Sequence, residues 1–239
     1  MKKFIKRTLL LLITLTILTI SWFGFKGYKR YAQSVEEHPF EEVVTEIEGR
    51  ENFVSYEELP EMYVKAVISI EDKRFETHQG FDVIGIARAL VTDITTMSFK
   101  EGGSTITEQL MKNLYFDQEK HIERRIAQLF AAIDFEKTYG KETIFALYAN
   151  TAYFGNGYTG IQEASYGYFG RAPEQLTDAQ AILLAGLPQA PSLYNPVVNR
   201  DLCLERMRQV LESMEEDGIL RNEDIEQIQE EAQSFFLLL

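Results

Sequence analysis

From Thr8 to Phe25 the chain runs eighteen residues without a charged side chain, drawn mostly from Leu, Ile, Thr, Trp and Phe. One helix of roughly 17–25 apolar residues crosses a bilayer, so a run of this length constrains everything that follows it. The segment after the run, SWFGFKGYKR, offers no small-x-small cleavage pattern, which favours an anchor over a removed signal. Lys2, Lys3, Lys6 and Arg7 precede the run, and Lys26, Lys29 and Arg30 follow it. Four cations against three put the N-terminus on the cytoplasmic side and the rest of the chain on the extracellular face of the cytoplasmic membrane. The expected layout is a cytoplasmic basic segment over 1–7, a transmembrane anchor over 8–25, a juxtamembrane linker over 26–56 and one domain over 57–239. The linker is acidic with a single proline, His38-Pro39, and reads as a spacer with a short extended piece.

Composition narrows the partners. The net charge is −13, and seven of the 24 bases lie in the first thirty residues with no acid among them. The remainder therefore sets 37 acids against 17 bases. A nucleic-acid partner needs a basic footprint, so that class is excluded. Cys203 is the single cysteine and reads as a small core residue; His38, His78 and His121 are scattered, without the spacing of a zinc site.

The chemistry is concentrated between Ile70 and Asn113. IEDKRFETHQGFD places Glu71, Asp72, Arg74, Phe75, His78 and Asp82 within twelve residues, and EGGSTITEQLMKN follows with Gly103, Ser104, Thr105, Thr107, Glu108, Gln109 and Lys112. Before the first cluster, Pro60 suits a helix start, and Met62, Ala66, Val67 and Ile70 form an apolar stripe, so Glu71 falls at the end of a helix. Partial burial there would suit a general base working near neutral pH, while Lys73 and Arg74 would act in the opposite direction; both readings stand open. A Gly-rich turn entering a helix presents free N–H groups that favour anions. Further on, Ile122, Ile126, Leu129, Phe130 and Ile133 share one helical face expected to build core, and Arg124, Arg125 and Gln128 share the other. Arginine pairs are more often solvated surface than ligand, yet guanidinium is also the natural clamp for phosphate oxygens.

Taken together and in this order, E-D-x-x-F-x-x-H-x-G-x-D and G-G-S-T-I-T-x-Q-L-x-K-N resemble the first two signatures of the peptidoglycan glycosyltransferases. That family includes the monofunctional transglycosylases and the glycosyltransferase module of class A penicillin-binding proteins. The likeness extends from about Glu57 to about Leu211, with Arg124 and Arg125 on the basic pair of a third motif and a fifth motif matched through Pro196. The chain departs from the pattern at four places. The family's second glutamate falls on Gln128, the first of a Gln-Gln pair on Glu108, a third acid on Ala146 and the second of two arginines on Met207.

The resemblance implies a mainly α fold: a lysozyme-like helical lobe with a smaller membrane-associated jaw lobe, preceded by one transmembrane helix. It implies polymerisation of lipid II into β-1,4 glycan strands, with inversion at the donor sugar and release of undecaprenyl pyrophosphate. Glu71 would be the base, with Gln128 in the place of the second glutamate and Glu108 as a compensating acid. Asp72, Arg74, Phe75, His78, Gly103, Ser104, Thr105, Gln109, Lys112, Arg124, Arg125 and Asn150 would bind substrate. No metal ligand is assigned, although a divalent cation, Mg or Mn, could accompany the pyrophosphate. Part of 83–99 would form a mobile, membrane-facing flap. The implied partners are lipid II, the growing strand, the cytoplasmic membrane and other cell-wall synthesis proteins. No S-x-x-K or K-T-G of a transpeptidase occurs, so a monofunctional protein is expected. Two other classes stay open: an inactive relative that binds lipid II or a synthesis partner, and a lysozyme-like hydrolase, which would need a general acid.

Overall fold

A computed structural model describes residues 2–87, 103–116 and 121–238. Its first helix, α1 (Lys2–Glu37), does not end with the apolar run but continues through the basic patch into the acidic segment. Among the described residues it is the one helix long and apolar enough to cross a membrane, and no part of its apolar window is buried against protein. The fold is mainly α, preceded by this single transmembrane helix.

Residues 26–56 correct the expectation of an extended spacer. After α1 comes α2 (Phe40–Glu48), whose Val44 and Ile47 are buried. Phe40, Val43, Val44 and Ile47 form an i, i+3, i+4, i+7 stripe, short enough to be masked by the glutamates around it. The Phe40 ring meets Phe135 edge-on at 5.0 Å and Tyr115 at 5.6 Å. Val54 is buried as well, and both its main-chain groups bond the Asn150 amide. The packed body thus begins near Phe40, well before Glu57.

From there the chain forms α3 (Glu61–Glu71), α4 (Ile106–Tyr115), α5 (Ile122–Thr138) and α6 (Lys141–Thr151). An antiparallel ribbon of β1 (Tyr153–Gly155) and β2 (Tyr158–Thr159) pairs Tyr153 with Thr159 and Gly155 with Tyr158. Then come α7 (Ile161–Phe169), α8 (Asp178–Gly186), α9 (Arg200–Glu216) and α10 (Asn222–Leu238). Thr177 caps α8 by accepting the Gln180 N–H, and seven of its nine residues, Ala179 and Ala181 to Gly186, are buried. That helix is the centre of the body, with α3, α9 and α10 packed around it. The closing hairpin α9–α10 seals one side with Met214, Leu220, Ile228, Ala232 and Phe236. Cys203 is 1% exposed in this core, and burial pushes its thiol up to about 12.

Helix α5 presents two packing faces, and the sequence names only one of them. Its buried residues are Ala127, Gln128, Ala131, Ala132 and Phe135. The larger apolar stripe turns instead to α1: Gly27 backs onto Ile126, and Tyr28 and Tyr31 pack on Phe130 at 5.4 and 6.1 Å. Lys26 pairs with Glu123 at 3.5 Å, and the Tyr31 hydroxyl donates to Asp134 at 2.6 Å. The stripe expected to build core therefore receives the anchor helix, and Gln128, expected on a solvated side, lies 1% exposed against the body. Small alanines leave room for a close helix contact on that second face, which is why the bulky stripe is free for α1.

The α1–α5 seam has no spare room at Gly27. A Cβ there would sit 2.4 Å from Ile126 Cγ2 and 2.6 Å from its Cβ. Gly27→Val is expected to destabilise the docked arrangement by about 1–3 kcal/mol through overpacking. Limited proteolysis of the detergent-solubilised protein should show faster cleavage between α1 and α2, and Ile126→Ala should restore protection.

Candidate active site

Glu71 is the last residue of α3, and its side chain is 11% exposed. Each carboxylate oxygen has a partner from a different part of the chain. Oε1 accepts from Arg206 Nη2 at 2.8 Å and Oε2 from Gln109 Nε2 at 2.8 Å. Arg206 is itself 4% exposed and anchored, with Nε donating to the Gly186 carbonyl at 3.2 Å and Nη1 to Gln209 at 3.2 Å. Behind the carboxylate lie Tyr63 and Tyr148, both buried, whose hydroxyls are raised first by burial and then by the Glu71 charge. Lys73 and Arg74, the expected cationic neighbours, go elsewhere. Lys73 pairs with Glu216 and Asp217 at 3.1 and 3.0 Å, and Arg74 holds Asp82 through both Nε and Nη2.

The residue after Glu71 fixes the geometry of both motifs. Asp72 is 6% exposed; its Oδ2 accepts the Ile106 N–H at 3.0 Å, and His78 Nε2 lies 2.8 Å from the same oxygen. An acceptor at the first N–H of α4 completes a helix start whose other cap is Thr105, which accepts the Glu108 N–H at 3.0 Å and donates to Gly80 O at 2.8 Å. Gly80, at φ +85°, presses onto α5 so closely that a Cβ would lie 2.6 Å from the Ile133 main chain. His78 Nδ1 faces Glu136 at 3.7 Å, and Glu136 also takes Thr107 and Lys141. Phe75 packs beside His78 and Phe145 at 1% exposure. Asp72, Phe75, His78 and Thr105 are thus buried ties between the motifs.

Asn150, expected among the substrate contacts, has its amide engaged on main chain. Oδ1 accepts the Val54 N–H at 2.9 Å, while Nδ2 donates to Val54 O at 2.7 Å and Ala146 O at 2.8 Å. It splices the segment after α2 onto α6. Gly103 approaches Ile86, and Ser104 is half-buried between it and the cap. Val83, Ile84 and Ile86 of the expected flap are exposed; the remainder of that segment lies outside the described residues.

The cations gather in the last turn of α4 and at the start of α5. Lys112 has its charge disfavoured first by burial and then by Arg124, with Arg125 adding to this and Glu71 opposing it. A lysine pushed down by two arginines and held up by the candidate base shares one electrostatic neighbourhood with all three. An anion placed among them would relieve the repulsion. Glu108, with a side chain 3% exposed, faces Arg125 Nη2 at 3.4 Å. Burial first, then Asp72, push its carboxyl up to about 7, against the Arg125 and His78 charges and the Thr105 hydrogen bond. Gln128 touches the same residue, its Nε2 donating to Glu108 O at 3.0 Å. The two exchanges from the family pattern therefore fall on residues in contact. Met207 is 2% exposed in the core.

Two features of the site escaped the sequence reading. The bond between Arg206 and Glu71 joins residues 135 apart, for which no local signal exists, and the backing of the carboxylate by Tyr63 and Tyr148 has none either. Among the described residues no group of three or more His, Cys, Asp and Glu could hold a metal ion.

Comparison with known proteins gives the family. Residues 38–215 match the family described as Transglycosylase, a range that begins beside α2 and ends within α9. The chain is 38% identical over 175 residues to penicillin-binding protein 1A of Aquifex aeolicus, covering 73% of this chain and 24% of that one. It is 39% identical over 167 residues to penicillin-binding protein 1F of Bacillus subtilis, covering 70% and 23%. For penicillin-binding protein 1A of Neisseria lactamica the figures are 40% over 173 residues, 72% and 22%. The chain spans about a quarter of the length of these relatives, and the matched segment holds Glu71, Lys112, the arginine pair and Arg206. On the extent of that match, the chain belongs to the transglycosylase family.

Proposed function

We propose that the chain is a peptidoglycan glycosyltransferase that polymerises lipid II into β-1,4 glycan strands at the outer face of the cytoplasmic membrane. The observation that carries this reading is one carboxylate, Glu71, fixed at both oxygens beside Lys112, whose charge is disfavoured by burial and by the neighbouring Arg124 and Arg125. Glycosyl transfer from a pyrophosphate needs a base for the incoming hydroxyl and positive charge for the leaving group. It needs no strong acid, because pyrophosphate leaves as an anion.

In this reading the 4-hydroxyl of the acceptor attacks C1 of the donor sugar with inversion. Its proton passes to Glu71, the C1–O bond to phosphate breaks, and undecaprenyl pyrophosphate departs. Gln109 and Arg206 leave each Glu71 oxygen a further lone pair for that proton while preventing the side chain from turning away. Lys112, Arg124 and Arg125 take the pyrophosphate. The described residues offer no metal cluster, so a divalent cation would enter with the donor's phosphates and is not assigned to any side chain. Hydrolysis of glycan in the manner of lysozyme would need a raised acid facing the glycosidic oxygen. The charge around Glu71 is cationic, which suits a phosphate leaving group instead.

Lipid II polymerisation by the full-length protein in detergent tests this. Glu71→Gln is expected to lower the rate by about 10²–10⁴-fold, the usual worth of a general base. A silent parent that still binds lipid II, and that Gln128→Glu awakens, would show a binding relative instead.

The Arg206–Glu71 pair gives a second expectation. Breaking a buried pair by removing one partner costs about 3–5 kcal/mol. Arg206→Met should lower the unfolding free energy by about that amount in denaturant titrations. In the double variant with Glu71→Gln much of the loss should return, because no unpaired charge is left.

A further inference from the structure

Among the described residues Glu108 is the one acid placed inside the cation cluster besides Glu71, and the reaction as proposed gives it no part. It is the third residue of α4, its N–H capped by Thr105 and its carboxylate 3% exposed. The groups that face it come from three directions: Arg125 and Gln128 from α5, Asp72 from the end of α3, and His78 from the loop between the motifs. Arg125 is the exposed partner of the pair, with half of its side chain open to solvent, so its guanidinium can leave without disturbing the core. Gln128 is 1% exposed, donates its amide N–H to the Glu108 carbonyl, and its Oε1 accepts no hydrogen bond among the described residues. A carboxylate has nothing to donate to that oxygen, whereas a protonated carboxyl has one O–H.

We propose that Glu108 is a proton-linked gate on the donor-phosphate cluster: ionised it holds Arg125, and protonated it turns its O–H to Gln128 Oε1 and releases Arg125 to the phosphate. The inference rests on the reading of Lys112, Arg124 and Arg125 as the pyrophosphate site. An anion arriving at Arg125 competes with a carboxylate for the same guanidinium and repels it. Binding must therefore favour the protonated form of Glu108, and by linkage protonation must favour binding. The sign follows from the position of the group. A carboxyl raised to about 7 is neutral below that pH and charged above it, so the cluster gains net positive charge as pH falls through neutrality. Glu108 is a positioning residue here; it does not touch the reacting atoms.

The test is pyrophosphate binding measured by calorimetry between pH 6 and 8, on the full-length protein and on Glu108→Gln. The variant protein shares every other titrating group, pyrophosphate included, so the ratio of the two affinities isolates Glu108. In the parent, affinity relative to Glu108→Gln should rise about fivefold from pH 8 to pH 6, as one pH unit of coupling about a midpoint near 7 gives. Proton uptake on binding, read from the dependence of the heat on buffer ionisation, should be larger in the parent than in the variant near pH 7. Arg125→Gln, a change at the exposed end of the pair, should reduce that uptake, because the guanidinium for which carboxylate and phosphate compete is gone. Equal pH profiles in parent and Glu108→Gln would overturn the gate and leave the phosphate cluster standing. Pyrophosphate that binds neither protein at any pH would overturn the cluster and the gate together.

Discussion

The Asp72 carboxylate is the point on which the site depends. By accepting the first N–H of α4 and holding His78, it joins two segments of chain that are further tied by Thr105 on the Gly80 carbonyl and Gln109 on Glu71. Its backbone position follows directly from Glu71, so the same residue that ends α3 orients the start of α4. Gln109, one turn into α4, then arrives opposite Glu71 with its amide in reach. Remove the tie and the base loses its partner as well as its neighbour. A buried polar link of this kind contributes less to stability than its gross strength suggests, because its groups were hydrated before folding. What it contributes is a fixed relation between helices, and the chemistry is built on that relation.

Much of this was readable from the residues, and the part that was not has physical reasons. The end of α3 at Glu71, the Thr177 cap and the closing hairpin follow from local rules, since stripes, caps and turns act over a few residues. Helix α2 was missed because four apolar residues among glutamates make a weak stripe. On α5 the bulky stripe drew the eye while the alanine face around Gln128 did the burying, and composition alone does not say which face meets which neighbour. Asn150 and Arg206 show what a motif leaves unsaid. The asparagine expected at the substrate joins two chain segments through its amide, and an arginine far along the chain grips the candidate base. Long-range hydrogen bonds leave no periodic trace.

The family pattern also gains meaning once the residues are placed. Glutamine at 128 and glutamate at 108 look like two independent departures in the sequence. In space they form one contact, the Gln128 amide donating to the Glu108 carbonyl. Glu108 faces Arg125 from within the first turn of a helix, where the dipole favours an anion. Neighbouring residues often vary together for such reasons, and the individual exchange is then a poor guide to loss of function.

The continuity of α1 has a mechanical consequence. A helix of 36 residues is about 54 Å long, and its apolar part of 18 residues accounts for about 27 Å, close to the hydrocarbon thickness of a bilayer. The part that follows it, from Lys26 to Tyr31, is clamped along α5, the helix that carries Arg124 and Arg125. With no flexible joint between span and body, any tilt that a thinner or thicker bilayer imposes on the span is transmitted as a rotation of the whole protein. Lipid composition would thereby set how far from the headgroups Arg124 and Arg125 stand.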